Sequence, residues 1–237
     1  MTQLNHCNKP INDVFRYANK YTHPLDYGSW TIIKTSHPHP KLPTTMLDSM
    51  DFSGVELYSH IKNTLKKYKV SGKMLEVGAR GEEGFIESQN FWEMEYYNLN
   101  LENPHNCPRT ILADITNCPE IPDNTYDYIY SMDTFEHIKE PWKASKEIIR
   151  ILKPGGIVFV VTLFSWRYHP QPVDFWRFTP HCLAFLFEPL ELIEANWDIR
   201  NRRVPYQGHE IDKDVCPEDQ FGPWLENWRV FYIGVKK

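Results

Sequence analysis

Residues that could do chemistry follow four apolar runs in order along the chain. The first run, KMLEVGARGEEG at residues 73–84, ends in Glu76-Val77-Gly78 and then loosens into glycines. Asp114-Ile115 comes next, Asp133 follows the apolar run Tyr126–Met132, and a fourth motif, Leu152–Gly156 (LKPGG), leads into the apolar run Ile157–Thr162. A glycine at a strand end lets a ligand lie against the backbone because it has no Cβ atom. The pattern therefore indicates a site for a nucleoside-type ligand.

The first glycine-containing loop favours a ligand without phosphate. Arg80 interrupts the G-x-G-x-x-G spacing of dinucleotide sites. Glu82 and Glu83 stand where a pyrophosphate would need backbone amides without nearby anions. Two carboxylates repel phosphate, but they tolerate a ligand that carries sulfonium and ammonium groups. A nicotinamide dinucleotide stays open as the alternative.

The elements that position these residues alternate between strand and helix patterns, as in βαβ units. We predict strands at Met74–Ala79, Tyr96–Leu101, Tyr126–Met132 and Ile157–Thr162, and helices at Gly54–Tyr68, Pro141–Leu152 and Pro180–Phe187, the last capped by Thr179. The runs Asn196–Arg203 and Asn227–Lys236 predict two antiparallel closing strands joined by irregular residues 204–226. Residues 1–52 predict an irregular arm or cap, and residues 53–237 predict one α/β domain with a mostly parallel sheet.

Composition excludes several classes of protein. A net charge of −5 and a pI near 6.1 give no basic field for nucleic acid, so no such partner is expected. The five cysteines, Cys7, Cys107, Cys118, Cys182 and Cys216, lack metal or disulfide-scaffold spacing and fit a reducing cytoplasm. The N-terminus shows no secretory pattern, and no apolar run reaches the length of a membrane span, so we expect no membrane insertion.

The four motifs and their intervals resemble the class I S-adenosylmethionine-dependent methyltransferases. The loop GARGEEG at residues 78–84 resembles the G-S-R-D-x-N-G loop of the subgroup called methyltransferase type 11. The resemblance implies a Rossmann-like sheet of about seven strands and S-adenosyl-L-methionine as the cofactor. It assigns cofactor contacts to Glu76, Gly78, Ala79, Arg80, Gly84, Asn100, Leu101, Glu102, Asp114, Ile115, Ser131 and Met132.

The end of the second strand departs from the family pattern. Asn100 stands where the family usually has an aspartate that binds both ribose hydroxyls. An amide can bond a ribose but lacks the strength of a charge-assisted hydrogen bond. Glu102, on the same strand face, is the alternative ribose ligand. The departure also favours, as one alternative, a donor-binding protein without transfer activity.

The segment LFSWRYHPQPVDFWRFTP at residues 163–180 follows the fifth strand and is dense in aromatics. It resembles the H-x-x-P-x-D-[FY]-W-R-[FY]-T-P run of the same subgroup, and loops on rigid strand ends concentrate binding groups. The predicted acceptor-binding residues are Trp166, Tyr168, Asp174, Arg177 and His209. Trp and Tyr suit stacking on a flat ring or sugar face, and Arg suits an anion. Trp176 and Phe178 are instead predicted to plug the core and fasten the next helix.

A hydroxyl acceptor must lose a proton, so the sequence should supply a general base. His169 is the first candidate because imidazole titrates near neutral pH, and Asp133 and His137 are further catalytic candidates. Glu136 and His137 could alternatively order the strand–helix junction. A metal site from His169, Asp174, His209 and Glu210 is conceivable, but no helical His-x-x-x-His spacing supports it and we predict no metal.

The resemblance implies O-methylation of a sugar or sugar-linked phosphate-type group in surface polysaccharide biosynthesis. Two alternatives stay open: a small-molecule N-methyltransferase and the donor-binding protein without transfer activity. A nicotinamide oxidoreductase is a third, disfavoured by Glu82 and Glu83. The expected partner is a small-molecule or glycan acceptor, and the N-terminal arm could mediate a homodimer.

Overall fold

The computed structural model describes residues 57–68, 71–79, 94–103, 106–170, 172–198, 203–205, 218–219, 222–226 and 228–237. The arm at residues 1–52 lies outside the described residues, so its boundary stays a prediction. Three predicted site residues, Arg80, Gly84 and His209, also lie outside them, as do Glu82, Glu83 and Glu210.

Seven strands form the main sheet in the order β3-β2-β1-β4-β5-β10-β6. They are β1 (Gly72–Val77), β2 (Met94–Asn100), β3 (Thr110–Leu112), β4 (Tyr126–Met132), β5 (Leu152–Ser165), β6 (Glu191–Trp197) and β10 (Trp228–Val235). The first five pair in parallel, and β10 runs antiparallel between β5 and β6. This confirms the predicted Rossmann-like, mostly parallel sheet with an antiparallel C-terminal pair.

Three α-helices and one short 3₁₀ helix accompany the sheet among the described residues. They are α1 (Leu57–Lys67), the 3₁₀ helix (Phe135–His137), α2 (Pro141–Ile151) and α3 (Pro180–Leu186). A proline suits the first position of a helix because its missing N–H would be unpaired there anyway. The Thr179 side chain accepts a hydrogen bond from the Cys182 amide at 3.1 Å, as predicted for a cap. None of the described helices has the length and apolar character of a membrane span.

The predicted strand bounds are wrong at the C-terminal edge. The strand expected at Asn196–Arg203 lies earlier, as β6, and pairs with β10 up to Trp197 opposite Val230. As an edge strand it tolerates exposed acidic residues, which hid its pattern. The segment predicted as irregular contributes β7 (Arg203–Pro205), β8 (Glu218–Asp219) and β9 (Gly222–Glu226), which form a separate three-stranded sheet.

The sheet is buried on both faces, since successive side chains of a strand point to opposite sides. On β1, Leu75 and Val77 join a core cluster that includes α2 and α3, and Met74 joins a second cluster with α1. Burying each large aliphatic side chain contributes about 1.5–3 kcal/mol. The strand order reverses between β1 and β4, so their carboxyl ends form the crevice where ligands bind in such sheets.

Candidate active site

Gly78 makes a sharp bend at the carboxyl end of β1. Its φ of +79° lies in the left-handed region, and its amide donates to the Leu99 carbonyl at 2.9 Å. A Cβ atom here would overlap the Thr134 side chain, lying 2.9 Å from the Thr134 Cβ and nearer to its other atoms. Only glycine therefore fits this position, because the backbone is left-handed and the Thr134 side chain is close. This holds whether or not a ligand also approaches.

Glu76 lies buried in the middle of the sheet just before this bend. Its Oε2 atom accepts a hydrogen bond from the Tyr96 hydroxyl on β2 at 2.8 Å. The Tyr128 hydroxyl is buried, and burial together with the charge of Glu76 raises the pKa of Tyr128 well above its usual value. Glu76 is thus a rigidly held carboxylate, as a residue lining the methionine end of the cofactor would be.

Asn100 ties the end of β2 to the loop after Gly78. Its Nδ2 atom donates to the Ala79 carbonyl at 3.0 Å. A carboxylate could not donate this bond, which gives the amide a physical reason at a position where the family usually has aspartate. Leu101 and Glu102 follow on exposed chain, and the residue that binds the ribose stays a prediction.

Asp114 forms a turn at the end of β3. Its Oδ1 atom accepts from both the amide and the hydroxyl of Thr116, each at 2.8 Å, and Ile115 is buried beside it. A side chain that bonds the backbone two residues on is typical of an Asx turn. Because both bonds use Oδ1, a cofactor contact through Oδ2 is compatible with the turn.

Residues at the end of β4 are held by the neighbouring strands. The Ser131 hydroxyl donates to the Val77 carbonyl at 3.1 Å, and Met132 Sδ accepts from the Tyr130 hydroxyl at 3.0 Å. Asp133 adopts φ +49° and receives two hydrogen bonds from Arg229, at 2.8 and 2.7 Å. Both carboxylate oxygens are thereby engaged, which favours a positioning role for Asp133 over the predicted role as a base.

The segment from 166 to 179, which we call the aromatic loop, folds back over the 3₁₀ helix. The amides of Phe175 and Trp176 donate to the Glu136 carbonyl at 2.8 and 3.2 Å. Phe178 is buried with its ring centroid 6.3 Å from that of Phe135, as predicted for a plug. Trp176 is 39% exposed, so it belongs to the rim of the loop.

Arg177 and Asp174 hold the aromatic loop in its conformation through hydrogen bonds within the loop. The Arg177 guanidinium bonds both oxygens of Asp174 and the carbonyls of Trp166, Arg167 and Trp176. This guanidinium is the main cause that lowers the pKa of Asp174 to about 2. The contacts give both residues a structural role that the sequence did not reveal, and direct acceptor binding by them stays a prediction.

Trp166 and Tyr168 lie in the same loop but differ in their exposure and in their contacts. Tyr168 is 72% exposed. The Trp166 ring lies 5.5 Å from the Arg229 guanidinium, a cation–π contact. Tyr168 is therefore available for stacking on an acceptor, whereas one contact of Trp166 is already made within the protein.

The candidate bases meet where the aromatic loop, which contains His169, contacts the 3₁₀ helix, which ends at His137; their ring centroids are 4.9 Å apart. Glu136 lies fully buried beside them, its Oε1 atom 3.9 Å from His137 Nε2 and 4.0 Å from His169 Nε2. Burial lowers the pKa of His169, which keeps its imidazole neutral near pH 7. Burial, and next the charge of Asp133, raise the pKa of Glu136.

Comparison with known proteins finds similarity to methyltransferases. A family model described as a methyltransferase domain matches residues 90–160, from β2 into β5. This match covers 71 of the 237 residues, less than a third of the chain. Phosphoethanolamine N-methyltransferase 2 of Caenorhabditis elegans is 34% identical over 27% of this chain and 14% of its own length. Phosphoethanolamine N-methyltransferase 3 of Arabidopsis thaliana is 30% identical over 44% of this chain and 24% of its own length.

A solved structure shows that the similarity extends to the fold. A SAM-dependent methyltransferase from Methanosarcina mazei superposes with a TM-score of 0.51 at 13% identity, covering 77% of this chain and 99% of that one. The chain thus spans less than a quarter of the length of the two curated relatives and nearly all of the structural neighbour.

Sequence patterns missed three contributors to this candidate site. Thr134 fills the space beside Gly78, Arg229 binds Asp133 from 96 residues away, and Thr162 bonds Glu136. Neither Thr residue stands out from its neighbours by type. Arg229 could have been noticed in the sequence, because it is a cation inside an otherwise apolar strand pattern.

Replacing Asp174 by asparagine should lower the free energy of unfolding at pH 7 by about 2 kcal/mol, since a buried carboxylate that binds a guanidinium is lost. The folded pKa is depressed, so the contribution of this carboxylate is present above its unfolded pKa near 4 and is lost as the pH falls toward about 2. Denaturant unfolding of both proteins at pH 7 and pH 3 measures the difference, which should shrink in acid. Equal differences at both pH values would contradict the ion pair.

Proposed function

We propose that this protein is a class I methyltransferase that moves the methyl group of S-adenosylmethionine to a small acceptor, an oxygen of a sugar or sugar-linked phosphate-type group in surface polysaccharide biosynthesis. The observation that carries the transfer reaction is the crevice between β1 and β4. The Gly78 bend lies on one side of it, and the end of β4 leads to His137, whose ring centroid lies 4.9 Å from that of His169 in the aromatic loop. The choice of a sugar acceptor rests on the aromatic loop and on the subgroup resemblance.

Methyl transfer is an in-line displacement, so the enzyme must align the acceptor, the methyl carbon and the sulfur, and exclude water. His169 can accept the proton of a hydroxyl acceptor. Its Nδ1 atom lies 3.1 Å from Asp174 Oδ2 and 3.2 Å from the Arg167 carbonyl, both acceptors, so Nδ1 carries the proton. The lone pair on His169 Nε2 then faces Glu136 and His137. As the O–CH₃ bond forms and the S–CH₃ bond breaks, the hydroxyl proton moves to Nε2.

N-methylation of a small amine is the second candidate. It is favoured by the names of the two curated relatives, both phosphoethanolamine N-methyltransferases. A neutral amine attacks without a general base, so His169→Gln should abolish transfer to hydroxyl acceptors and spare transfer to amines. Assaying wild type and variant on matched hydroxyl and amine panels separates the two functions.

Titration calorimetry with S-adenosylmethionine, S-adenosylhomocysteine and NAD tests the cofactor. We expect micromolar binding of the first two and none of NAD. Binding of NAD alone would overturn the proposed function. Donor binding without turnover on any acceptor would favour a binding protein without transfer activity. A cytoplasmic location, a glycan acceptor and a homodimer stay predictions.

Asp114→Ala should weaken donor binding by about 1–3 kcal/mol, because the adenine amino group would lose its acceptor. Calorimetry against wild type measures the change. Asp123→Ala is the matched control, since this exposed carboxylate pairs with Arg150. Equal affinities for wild type and Asp114→Ala would remove Asp114 from the site.

A further inference from the structure

Three side chains near the 3₁₀ helix direct acceptor atoms to one point. Glu136 Oε1, His137 Nε2 and His169 Nε2 all lie within 4.8 Å of one another. Glu136 is fully buried, and neither its Oε1 atom nor His137 Nε2 has a hydrogen-bond partner among the residues that the structure describes. Buried polar atoms are almost always paired, so two orphans facing each other need an explanation.

The second polar atom of each side chain is already fixed. His137 Nδ1 lies 2.6 Å from the Val173 carbonyl, and Glu136 Oε2 accepts from the Thr162 hydroxyl at 2.7 Å. His169 Nδ1 faces the two acceptors described above. A carbonyl can only accept, so the Nδ1 atom of His137 also carries its ring proton. Both Nε2 atoms are therefore bare lone pairs, and they face a carboxylate oxygen.

Hydrogen bonding alone does not satisfy this arrangement. Separations of 3.9 and 4.0 Å are too long for a proton shared between Glu136 and either histidine. One water molecule could donate to two of the three acceptors, whereas a metal ion would bind all three. By contrast, His60 and Glu194 in the same protein sit 2.8 Å apart, as an ordinary hydrogen-bonded pair does.

The surrounding charges leave Glu136 as the carboxylate without a direct cationic partner. Asp133 is neutralised by Arg229, and Asp174 by Arg177. Among the described residues, no lysine or arginine lies within ion-pair distance of Glu136. A buried carboxylate without a counterion is costly, so a cation at the point where the three acceptors meet would be strongly favoured.

We propose that Glu136, His137 and His169 bind a divalent transition-metal ion. Two imidazoles and one carboxylate with further positions open are a ligand set of catalytic zinc and non-haem iron sites. Ligand atoms around a tetrahedral zinc ion are about 3.3–3.4 Å apart. The pairs at 3.9 and 4.0 Å would close by about 0.6 Å, and the pair of histidine nitrogens, which lie within 4.8 Å of each other, by up to about 1.4 Å. The contacts of Asp174, Val173 and Thr162 supply the outer hydrogen bonds that orient such ligands.

The metal ion would take over part of the proposed reaction, and this consequence rests on the proposed function. A hydroxyl acceptor bound at an open position would have its pKa lowered by the ion and release its proton to solvent. His169 Nε2 would then donate its lone pair to the metal instead of accepting that proton. The metal site itself does not depend on which acceptor is methylated.

Direct metal binding tests the proposal without an activity assay. The chelator-treated full chain is titrated with Zn²⁺ and with Mn²⁺ in a calorimeter, alongside Glu136→Gln, His169→Gln and the matched control His60→Gln. We expect one Zn²⁺ per chain, affinity at least 100-fold weaker in the first two variants, and wild-type affinity in the control. Circular dichroism checks that each variant is folded.

A Co²⁺ spectrum of the wild type keeps the proposal testable if a variant does not fold. Nitrogen and oxygen ligation predicts visible bands without thiolate charge transfer. Thiolate bands, no stoichiometric binding, or undiminished binding by Glu136→Gln would each overturn the site. Donor titration in the same samples is independent, so failure of the metal site is distinguishable from failure of the proposed function.

Discussion

Gly78→Ala is expected to lower the free energy of unfolding by about 2–5 kcal/mol and to abolish donor binding. The φ of +79° places the new Cβ atom in a left-handed conformation, which costs about 1–2 kcal/mol. The same Cβ atom would overlap Thr134 and force it from its place, at a further cost of about 1–3 kcal/mol. Denaturant unfolding and calorimetric titration with S-adenosylhomocysteine measure the two effects.

Gly155 offers a matched control for the backbone part of this effect. Its φ is +78°, and an added Cβ atom would meet nothing within 4 Å. Gly155→Ala should therefore cost only about 1–2 kcal/mol and leave donor binding unchanged. Adding Thr134→Gly to Gly78→Ala should recover the steric part. Equal costs for Gly78→Ala and Gly155→Ala would show that Thr134 does not matter.

Central strands and capped helices were predictable because their signals are local. The run Tyr126–Met132 is the strand β4 residue for residue, and Thr179 caps α3 as expected. A strand buried on both faces reads as a continuous apolar run, and a cap needs one side chain at one position. Neither depends on what the rest of the chain does.

Edge strands and the smaller sheet were not predictable by the same means. β3 has three residues, of which Leu112 is exposed, and β6 carries Glu191 and Glu194. Their strand state comes from pairing with distant partners rather than from their own apolar pattern. For this physical reason the predicted position of β6, Asn196–Arg203, was wrong.

The sequence indicated which residues belong to the candidate site but not which of them contact one another. His169 and the pair Glu136-His137 were singled out, but their convergence requires the aromatic loop to fold over the 3₁₀ helix. Arg177 and Asp174, which sequence analysis assigned to the acceptor, hold that fold through their hydrogen bonds. Linear spacing could not reveal the proposed metal cluster either, because His169 comes from a loop 32 residues beyond His137.

Arg229→Met is expected to lower the free energy of unfolding by about 3–5 kcal/mol, because it leaves the Asp133 carboxylate without its counterion in a mostly buried place. The two side chains are 18% and 17% exposed, and their closest atoms are 2.7 Å apart. Asparagine also tolerates a positive φ, so Asp133→Asn removes the charge while keeping the backbone. Denaturant unfolding of both variants and of the double variant completes the cycle.

The double variant should cost clearly less than the sum of the two single changes, because replacing both members of a buried pair is often close to neutral. Asp127 and Lys153 provide the comparison, since they also sit 2.7 Å apart but are 32% and 38% exposed. Breaking that pair should cost less than about 1 kcal/mol. Additive costs for Asp133 and Arg229 would mean that the two act independently. Strong coupling would mean that this ion pair holds β10 and the end of β4 together, so that the acceptor side of the crevice depends on a strand from the C-terminal part of the chain.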